Sequence, residues 1–282
     1  MRGFSVRVFM PDGTPDGIRI IEKSNWTGKG IVCPRSVYTK AKTRKEFDNP
    51  GVYVLWGPSD SGGLPRIYVG EGESIRNRLD THFAKKDFWT TAIFFVSKDE
   101  NLNKVFVKHL ESRLLQLANE ANRSEIDNTN APNPPSLSEA DHADGEGFLD
   151  EMLFCLPVMG LTVFDKPAIP VSGFTSLYLR AKAIDAKGYE STEGFVVLKG
   201  SLARSDEVPS IHVYLHDLRA TLVTREILVA EEEGFRLAQD YEFTSPSTAA
   251  AVMMGRSANG RIEWKNDQGQ TLREIQEAST RN

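Results

Sequence analysis

Two short apolar runs joined by a loop constrain the fold more than any other part of this sequence. Residues 51–56 and 66–69 are rich in β-favouring side chains, whereas residues 57–63 between them are only Gly, Pro, Ser and Asp. Two such runs separated by such a loop predict an antiparallel hairpin. Residues 92–97 are a further candidate for a buried strand.

The segments after the hairpin have helical patterns. Residues 75–83 follow Glu73 and Ser74, either of which is a suitable N-cap. Residues 101–122 form the clearest helix, because apolar side chains recur there at helical spacing. These side chains are Leu102, Val105, Phe106, Leu110, Leu114 and Leu117.

The outer parts of the chain mix both element types. The N-terminal part predicts strands at 4–10, 17–22 and 29–33 and a basic helix at 36–45. A capping box at Ser136 and Glu139 predicts a helix that Pro157 stops. Beyond it we predict paired strands near 177–184 and 194–199, a helix at 215–233, an extended segment at 235–243, a small helix between Ser245 and Gly255, and a final hairpin at 262–269.

The change of character at residues 166–170, Lys-Pro-Ala-Ile-Pro, predicts a domain boundary. We therefore expect an α+β protein with three parts. Residues 1–49 form a basic β-rich extension, residues 50–166 a central domain with a small antiparallel sheet flanked by helices, and residues 167–282 an α+β C-terminal domain.

Charge is unevenly distributed along the chain. The formal net charge is −5, but residues 1–50 contain ten Lys or Arg against five acids, and residues 120–165 contain ten acids and one Arg. A basic arm beside an acidic segment is compatible with a nucleic-acid groove, although most charge runs are solvated faces. The cysteines, Cys33 and Cys155, have no zinc-site spacing, and no apolar run is long enough for a membrane span. We expect a cytoplasmic protein without a membrane partner.

Five residues of the central part can act together. Tyr53 and Tyr68 lie on adjacent predicted strands, and Arg78 and His82 share a helix face at i and i+4. Glu111 lies among apolar helix positions, where a carboxylate needs a metal ion or an arginine as its partner. Taken singly, each residue is more often structural. Their joint spacing favours a site.

The same residues resemble the core of the GIY-YIG nuclease family over about residues 51–163. Gly51-Val52-Tyr53 and Tyr68-Val69-Gly70 stand for the two halves of the family name, with a longer gap than in compact members. Arg78 and His82 lie ten and fourteen residues after Tyr68, and Glu111 matches the metal-binding glutamate. Asn128 and Asn130 both match the late asparagine, and Asn130 is preferred.

The resemblance implies a three-stranded antiparallel sheet and metal-dependent phosphodiester hydrolysis. Glu111 would bind Mg²⁺ or Mn²⁺, and Arg78 would neutralise charge on the phosphate. Tyr53, with Tyr68 or His82, would orient or deprotonate the attacking water. Arg76 is a second cation near the same turn and is predicted to contact a flanking phosphate.

The C-terminal part contains the segments 200–204, 245–251, 255–260 and 264–265, and with them it resembles a small domain of unknown function that is often found after GIY-YIG modules. Arg256 and Lys265, near Trp264, suit phosphate contact and base stacking, although a capped helix and a hairpin on a core explain them as well. We expect a divalent-metal-dependent endonuclease with a nucleic-acid partner, DNA rather than RNA. The alternative is a catalytically silent nucleic-acid-binding or interaction module on the same fold.

Overall fold

The computed structural model describes residues 3–58, 64–99, 101–130, 132–164 and 175–280. The chain is α+β, as predicted, and its contacts divide it into two compact units. The described residues up to 164 belong to the first unit and residues 175–280 to the second. The boundary predicted at 166–167, like most of the loop at 57–63, lies outside the described residues.

The first unit is built on one sheet with helices on both faces. Its elements are β1 Val6–Phe9, β2 Arg19–Lys23, β3 Gly28–Pro34, α1 Tyr38–Ala41, β4 Gly51–Gly57, β5 Arg66–Gly72, α2 Ile75–Lys85, β6 Thr91–Ser97, α3 Lys104–Ala121, β7 Glu125–Ile126 and α4 Glu139–Val158. Among the described residues the sheet order is β1-β2-β3-β6-β4-β5-β7.

The N-terminal extension is part of this sheet rather than a separate arm. β3 pairs antiparallel with β6 over its whole length, from Gly28 opposite Ser97 to Pro34 opposite Thr91. Ile31, Val32 and Cys33 are buried, so β3 has apolar contacts on both faces. The three-stranded sheet that the resemblance implied, β5-β4-β6, is therefore the centre of a wider sheet.

Alternate residues of β4 face different cores. Val52 and Val54 pack in a cluster with side chains of α3 and α4, whereas Tyr53 and Leu55 pack in a cluster with side chains of α2. This alternation follows from the period of two in a strand. The sheet thus separates α2 from α3, and residues of both helices reach the site described below.

Several predicted helix ends differ from those observed. Ser74 is the N-cap of α2, and its side chain accepts a hydrogen bond from the Asn77 backbone. The capping box predicted at Ser136 is wrong, because Ser138 caps α4 and accepts from the Asp141 backbone at 3.1 Å. The basic helix predicted at 36–45 is also shorter: α1 covers one turn, between 3₁₀ turns at Arg35–Val37 and Lys45–Asp48.

The second unit has its own sheet. Its elements are β8 Leu177–Ala181, β9 Ile184–Glu190, β10 Phe195–Val197, β11 Leu202–Ala203, α5 Val213–Thr224, β12 Leu228–Glu231, β13 Gly234–Leu237, β14 Tyr241–Phe243, α6 Pro246–Met254, α7 Gly260–Glu263 and α8 Leu272–Ser279. The small helix predicted after Ser245 is confirmed as α6, with Ser245 as N-cap and Gly255 as a left-handed C-cap at φ 62°.

Three predictions for the second unit differ from the structure. β8 pairs with β9 rather than with the 194–199 strand, because a short turn folds the chain back after Ala181. The helix predicted at 215–233 ends at Thr224, since Leu228 is buried in a β12–β13 hairpin whose Gly234 has φ 156°. The predicted final hairpin is reduced to one antiparallel bridge, Lys265 opposite Thr271, around the predicted turn at 267–269, and α7 and α8 flank it.

Among the described residues, no helix combines the length and the apolar character needed to cross a bilayer.

Candidate active site

The two tyrosines lie on the same face of the sheet. Tyr53 is paired with Gly70 and Tyr68 with Leu55 across β4 and β5, and the two phenol rings are 6.2 Å apart between centroids. Gly70 makes room for this packing, because a Cβ atom added there would lie 2.3 Å from the Tyr53 hydroxyl oxygen. The glycine of the Tyr68-Val69-Gly70 motif is thus explained by Tyr53.

His82 lies against both tyrosines. Its Nε2 is 2.7 Å from the Tyr53 hydroxyl oxygen, and its ring centroid is 4.7 Å from that of Tyr68. Burial, together with the charges of Lys86 and Arg78, lowers the pKa of His82 to about 4. Burial also raises the pKa of Tyr53. At neutral pH both groups are therefore uncharged, and His82 accepts the Tyr53 hydrogen bond at Nε2 in the tautomer that carries its proton on Nδ1.

Arg78 reaches the same place across the end of β5. Its Nε donates to the carbonyl oxygen of Glu71 at 2.9 Å. Its Cγ passes so close to Gly72 that a Cβ atom there would lie 2.6 Å away. The charge of Arg78 also lowers the pKa of Tyr53. The guanidinium is consequently fixed beside the phenol by a backbone anchor and a glycine.

Glu111 approaches from α3, on the other side of the sheet. Burial and the charge of Glu71 raise the pKa of Glu111 to about 7, against the opposing effects of Arg78 and Lys108. The charge of Glu111 in turn raises the pKa of Tyr53. These mutual effects join Glu111 electrostatically to the cluster around Tyr53.

The carboxylate of Glu111 has the properties of a cation ligand. Among the described residues, no side chain donates a hydrogen bond to it, and the second carboxylate, Glu71, repels its negative charge. A hard divalent cation takes carboxylate oxygens and would relieve this repulsion. The donor set therefore fits Mg²⁺ or Mn²⁺, with Glu111 as ligand and Glu71 as the nearby second acid.

Of the two candidates for the late asparagine, Asn128 rather than the preferred Asn130 contacts the strand of Tyr68. The Asn128 side chain accepts from the Val69 backbone nitrogen at 3.0 Å and donates to the Val69 carbonyl oxygen at 2.7 Å. It thereby continues the parallel pairing of β7 with β5 and fixes the strand of Tyr68. Asn130 is exposed two residues further on.

A charged group that sequence reasoning missed lies beside Tyr68. The Lys86 ammonium is 4.6 Å from the Tyr68 ring centroid and pairs with Asp127, which also pairs with Arg66. Lys86 follows α2 directly, one helical turn after His82, and this spacing was the available signal. Asp127 and Asn128 could be recognised only through the β5–β7 pairing.

Arg76 and Arg256, two other predicted nucleic-acid contacts, each form an ion pair. Arg76 pairs with Asp48 at 3.0 Å, and its carbonyl oxygen accepts from Tyr38. In the second unit, Arg256 pairs with Glu263 at 2.7 Å.

Lys265, also in the second unit, forms backbone bridges with Tyr178 and Thr271. Its neighbour Trp264 is fully buried and donates to the Pro246 carbonyl oxygen, so base stacking on that indole is excluded. Buried aromatic packing explains this tryptophan.

Comparison with known proteins identifies only the C-terminal part. A family described as "Domain of unknown function (DUF4357)" matches residues 177–276. The match covers most of the second unit and none of the residues of the candidate site. No curated protein and no solved structure matches the chain.

The close approach at Gly70 predicts a specific cost. Gly70→Ala places a methyl group against the Tyr53 hydroxyl, and such overpacking costs about 1–3 kcal/mol of unfolding free energy. Urea denaturation of the purified chain measures this loss. Gly147→Ala is the control, because nothing lies within 4 Å of its Cβ position in α4 and alanine favours a helix. A Gly70→Ala protein as stable as Gly147→Ala would contradict the packing described.

Proposed function

We propose that the first unit is a divalent-metal-dependent endonuclease that hydrolyses phosphodiester bonds in DNA. The observation that carries this proposal is the hydrogen bond between Tyr53 and a neutral His82, next to the guanidinium of Arg78 and the carboxylate of Glu111. A proton acceptor, a phosphate-binding cation and a metal ligand thus act on one another. The choice of DNA over RNA follows the resemblance to GIY-YIG nucleases.

Tyr53 and His82 form the route for the proton of the attacking water. Free tyrosine titrates near pH 10, and burial raises the pKa of Tyr53 further, so a phenolate is not the base at rest. A water bonded to the Tyr53 oxygen can give its proton to that oxygen while the phenol gives its own to His82 Nε2, 2.7 Å away. The hydroxide then attacks phosphorus, and Tyr53 is neutral again.

Arg78 stabilises the phosphate as negative charge develops on it. A planar guanidinium binds two phosphate oxygens at once, which a lysine does poorly. The hydrogen bond from its Nε to the backbone carbonyl oxygen of Glu71 orients the guanidinium before the substrate arrives. Orientation in advance makes such a charge effective in a transition state.

Glu111, with Glu71 close by, would hold Mg²⁺ or Mn²⁺. When bound, such an ion polarises the scissile phosphate and stabilises the leaving oxygen. Glu111 must be ionised to bind it, and burial and Glu71 oppose that ionisation. Asn128 contributes indirectly, by fixing the strand that carries Tyr68.

A cleavage assay on the full chain tests the proposal. We expect plasmid and oligonucleotide cleavage that requires Mg²⁺ or Mn²⁺ and falls at least about 100-fold in Glu111→Gln, because a charge-stabilising group is lost. Glu73→Gln is the matched control, since Glu73 is exposed and pairs with the exposed Lys104 ammonium at 3.4 Å. DNA binding without metal-dependent cleavage on single-stranded, duplex and branched substrates would contradict the proposal and favour a silent binding module.

Removing one hydroxyl tests the proton route. Tyr53→Phe keeps the ring that packs in the core but removes the donor to His82, so we expect kcat to fall about 10²–10⁴-fold. The control is Tyr38→Phe, which removes another buried hydroxyl, bonded to Asp80, and should alter stability but not kcat. Equal kcat in wild type and Tyr53→Phe would remove Tyr53 from the mechanism.

The pH dependence of cleavage tests the role of Glu111. Below a pKa of about 7 Glu111 is protonated and cannot bind a cation, so activity should rise with pH through this region at low Mg²⁺. Glu71→Gln removes the like charge that raises this pKa, and the acid limb should shift to lower pH. His82, with a pKa of about 4, titrates too low to cause this limb. An acid limb at the same pH in Glu71→Gln and wild type would contradict the assignment.

A further inference from the structure

A second set of metal-binding side chains lies between α3 and α4. His109 on α3 is 3% exposed, and its Nε2 lies 2.8 Å from Oε1 of Glu146 on α4. His142 precedes Glu146 by four residues on α4, and its ring centroid is 5.2 Å from that of His109. One ligand atom from each of the three residues lies within 4.8 Å of the others.

We propose that His109, His142 and Glu146 bind one Zn²⁺ ion. Zinc takes imidazole nitrogen at about 2.0–2.1 Å and carboxylate oxygen at about 2.0–2.2 Å, so tetrahedral ligand atoms lie roughly 3.3 Å apart. The observed separations span this value, from 2.8 Å between His109 and Glu146 up to 4.8 Å. A rotation of the exposed His142 side chain closes the wider gap.

Two imidazoles select the type of cation. Mg²⁺, Mn²⁺ and Ca²⁺ prefer oxygen donors, whereas imidazole suits zinc and its neighbours in the first transition row. Three protein ligands leave one position for water, on the side where His142 is exposed. The set therefore differs in chemistry from the carboxylate site at Glu111.

Arg113 orients the Glu146 carboxylate and does not block its binding to a metal ion. Its Nε donates to Glu146 Oε1 at 2.8 Å and its terminal nitrogen to Oε2 at 2.9 Å. Each carboxylate oxygen has two acceptor positions, so Oε1 can face the ion while Oε2 keeps its bond to Arg113. Outer hydrogen bonds of this kind orient metal ligands in proteins. Zinc would take the place of the hydrogen in the bond between His109 and Glu146.

Local packing brings His109 close to α4. A Cβ atom at Gly145 would lie 2.9 Å from His109 Cδ2, so this glycine lets the imidazole enter between the helices. His109 and Glu111 are two residues apart on α3, a rotation of about 200°, and therefore lie on opposite sides of the helix. The zinc site is thus separate from the proposed catalytic site and does not depend on it.

Metal titration of the full chain, first stripped with a chelator, tests the proposal. We expect one Co²⁺ to bind with the visible absorption of four-coordinate cobalt and to be displaced by one equivalent of Zn²⁺. His142→Ala should weaken Zn²⁺ binding at least about tenfold, as loss even of an outer partner does. His142 is exposed, so the fold should survive this change.

Two variants separate this site from other metal-binding groups. His216→Ala removes an exposed histidine of the second unit, which pairs with Glu207, and should leave Zn²⁺ affinity unchanged. Glu111→Gln should also leave it unchanged, even where it abolishes cleavage. Absence of the cobalt spectrum, or equal Zn²⁺ affinity in wild type and His142→Ala, would overturn the proposal.

Discussion

The candidate site depends on the burial of one phenol against one glycine. Tyr53 occupies the space that a side chain at position 70 would need, and this close approach brings its hydroxyl to His82 on α2. Strand pairing between β4 and β5 fixes the two positions relative to each other. The relative positions of Tyr53, Tyr68 and His82 are therefore a property of the hairpin and the first helix after it.

This packing places His82 and Glu111 where their charged forms are disfavoured, which does not stabilise the fold. Burial and neighbouring cations lower the pKa of His82, so this side chain is neutral at pH 7. Burial and the charge of Glu71 raise the pKa of Glu111 to about 7. Groups whose pKa values are displaced in opposite senses within one cluster are typical of sites that move protons or bind ions. A bound cation beside Glu111 and a phosphate beside Arg78 would balance these charges. The proposed metal ion and DNA phosphate would thus supply opposite charges for Glu111 and Arg78.

Local sequence patterns predicted much of the site, and tertiary pairing determined the rest. Helical spacing alone placed Arg78 and His82 on one face of a helix, and both groups reach Tyr53 in the structure. Asn128 could not be distinguished from Asn130 in this way, because its role arises from the parallel β5–β7 pairing, which no local pattern encodes.

The same distinction explains the differences in the fold. Local sequence patterns predict the N-terminal strands, but their membership of the central sheet depends on β3 pairing with β6 across the sequence. In the second unit, the apolar residues after Thr224 are compatible with either a helix or a strand, and burial of Leu228 in a hairpin selected the strand. The sequence around Trp264 is likewise compatible with base stacking, and only the burial of its indole excludes that role.

Crystals of Tyr53→Phe grown with Mn²⁺ and uncleaved DNA give the most direct test of the proposed site, through anomalous diffraction from manganese. We expect a manganese peak in direct contact with a Glu111 carboxylate oxygen, with a DNA phosphate bound by Arg78 next to it. Manganese bound elsewhere, or DNA whose phosphates lie away from Arg78 and Glu111, would contradict it.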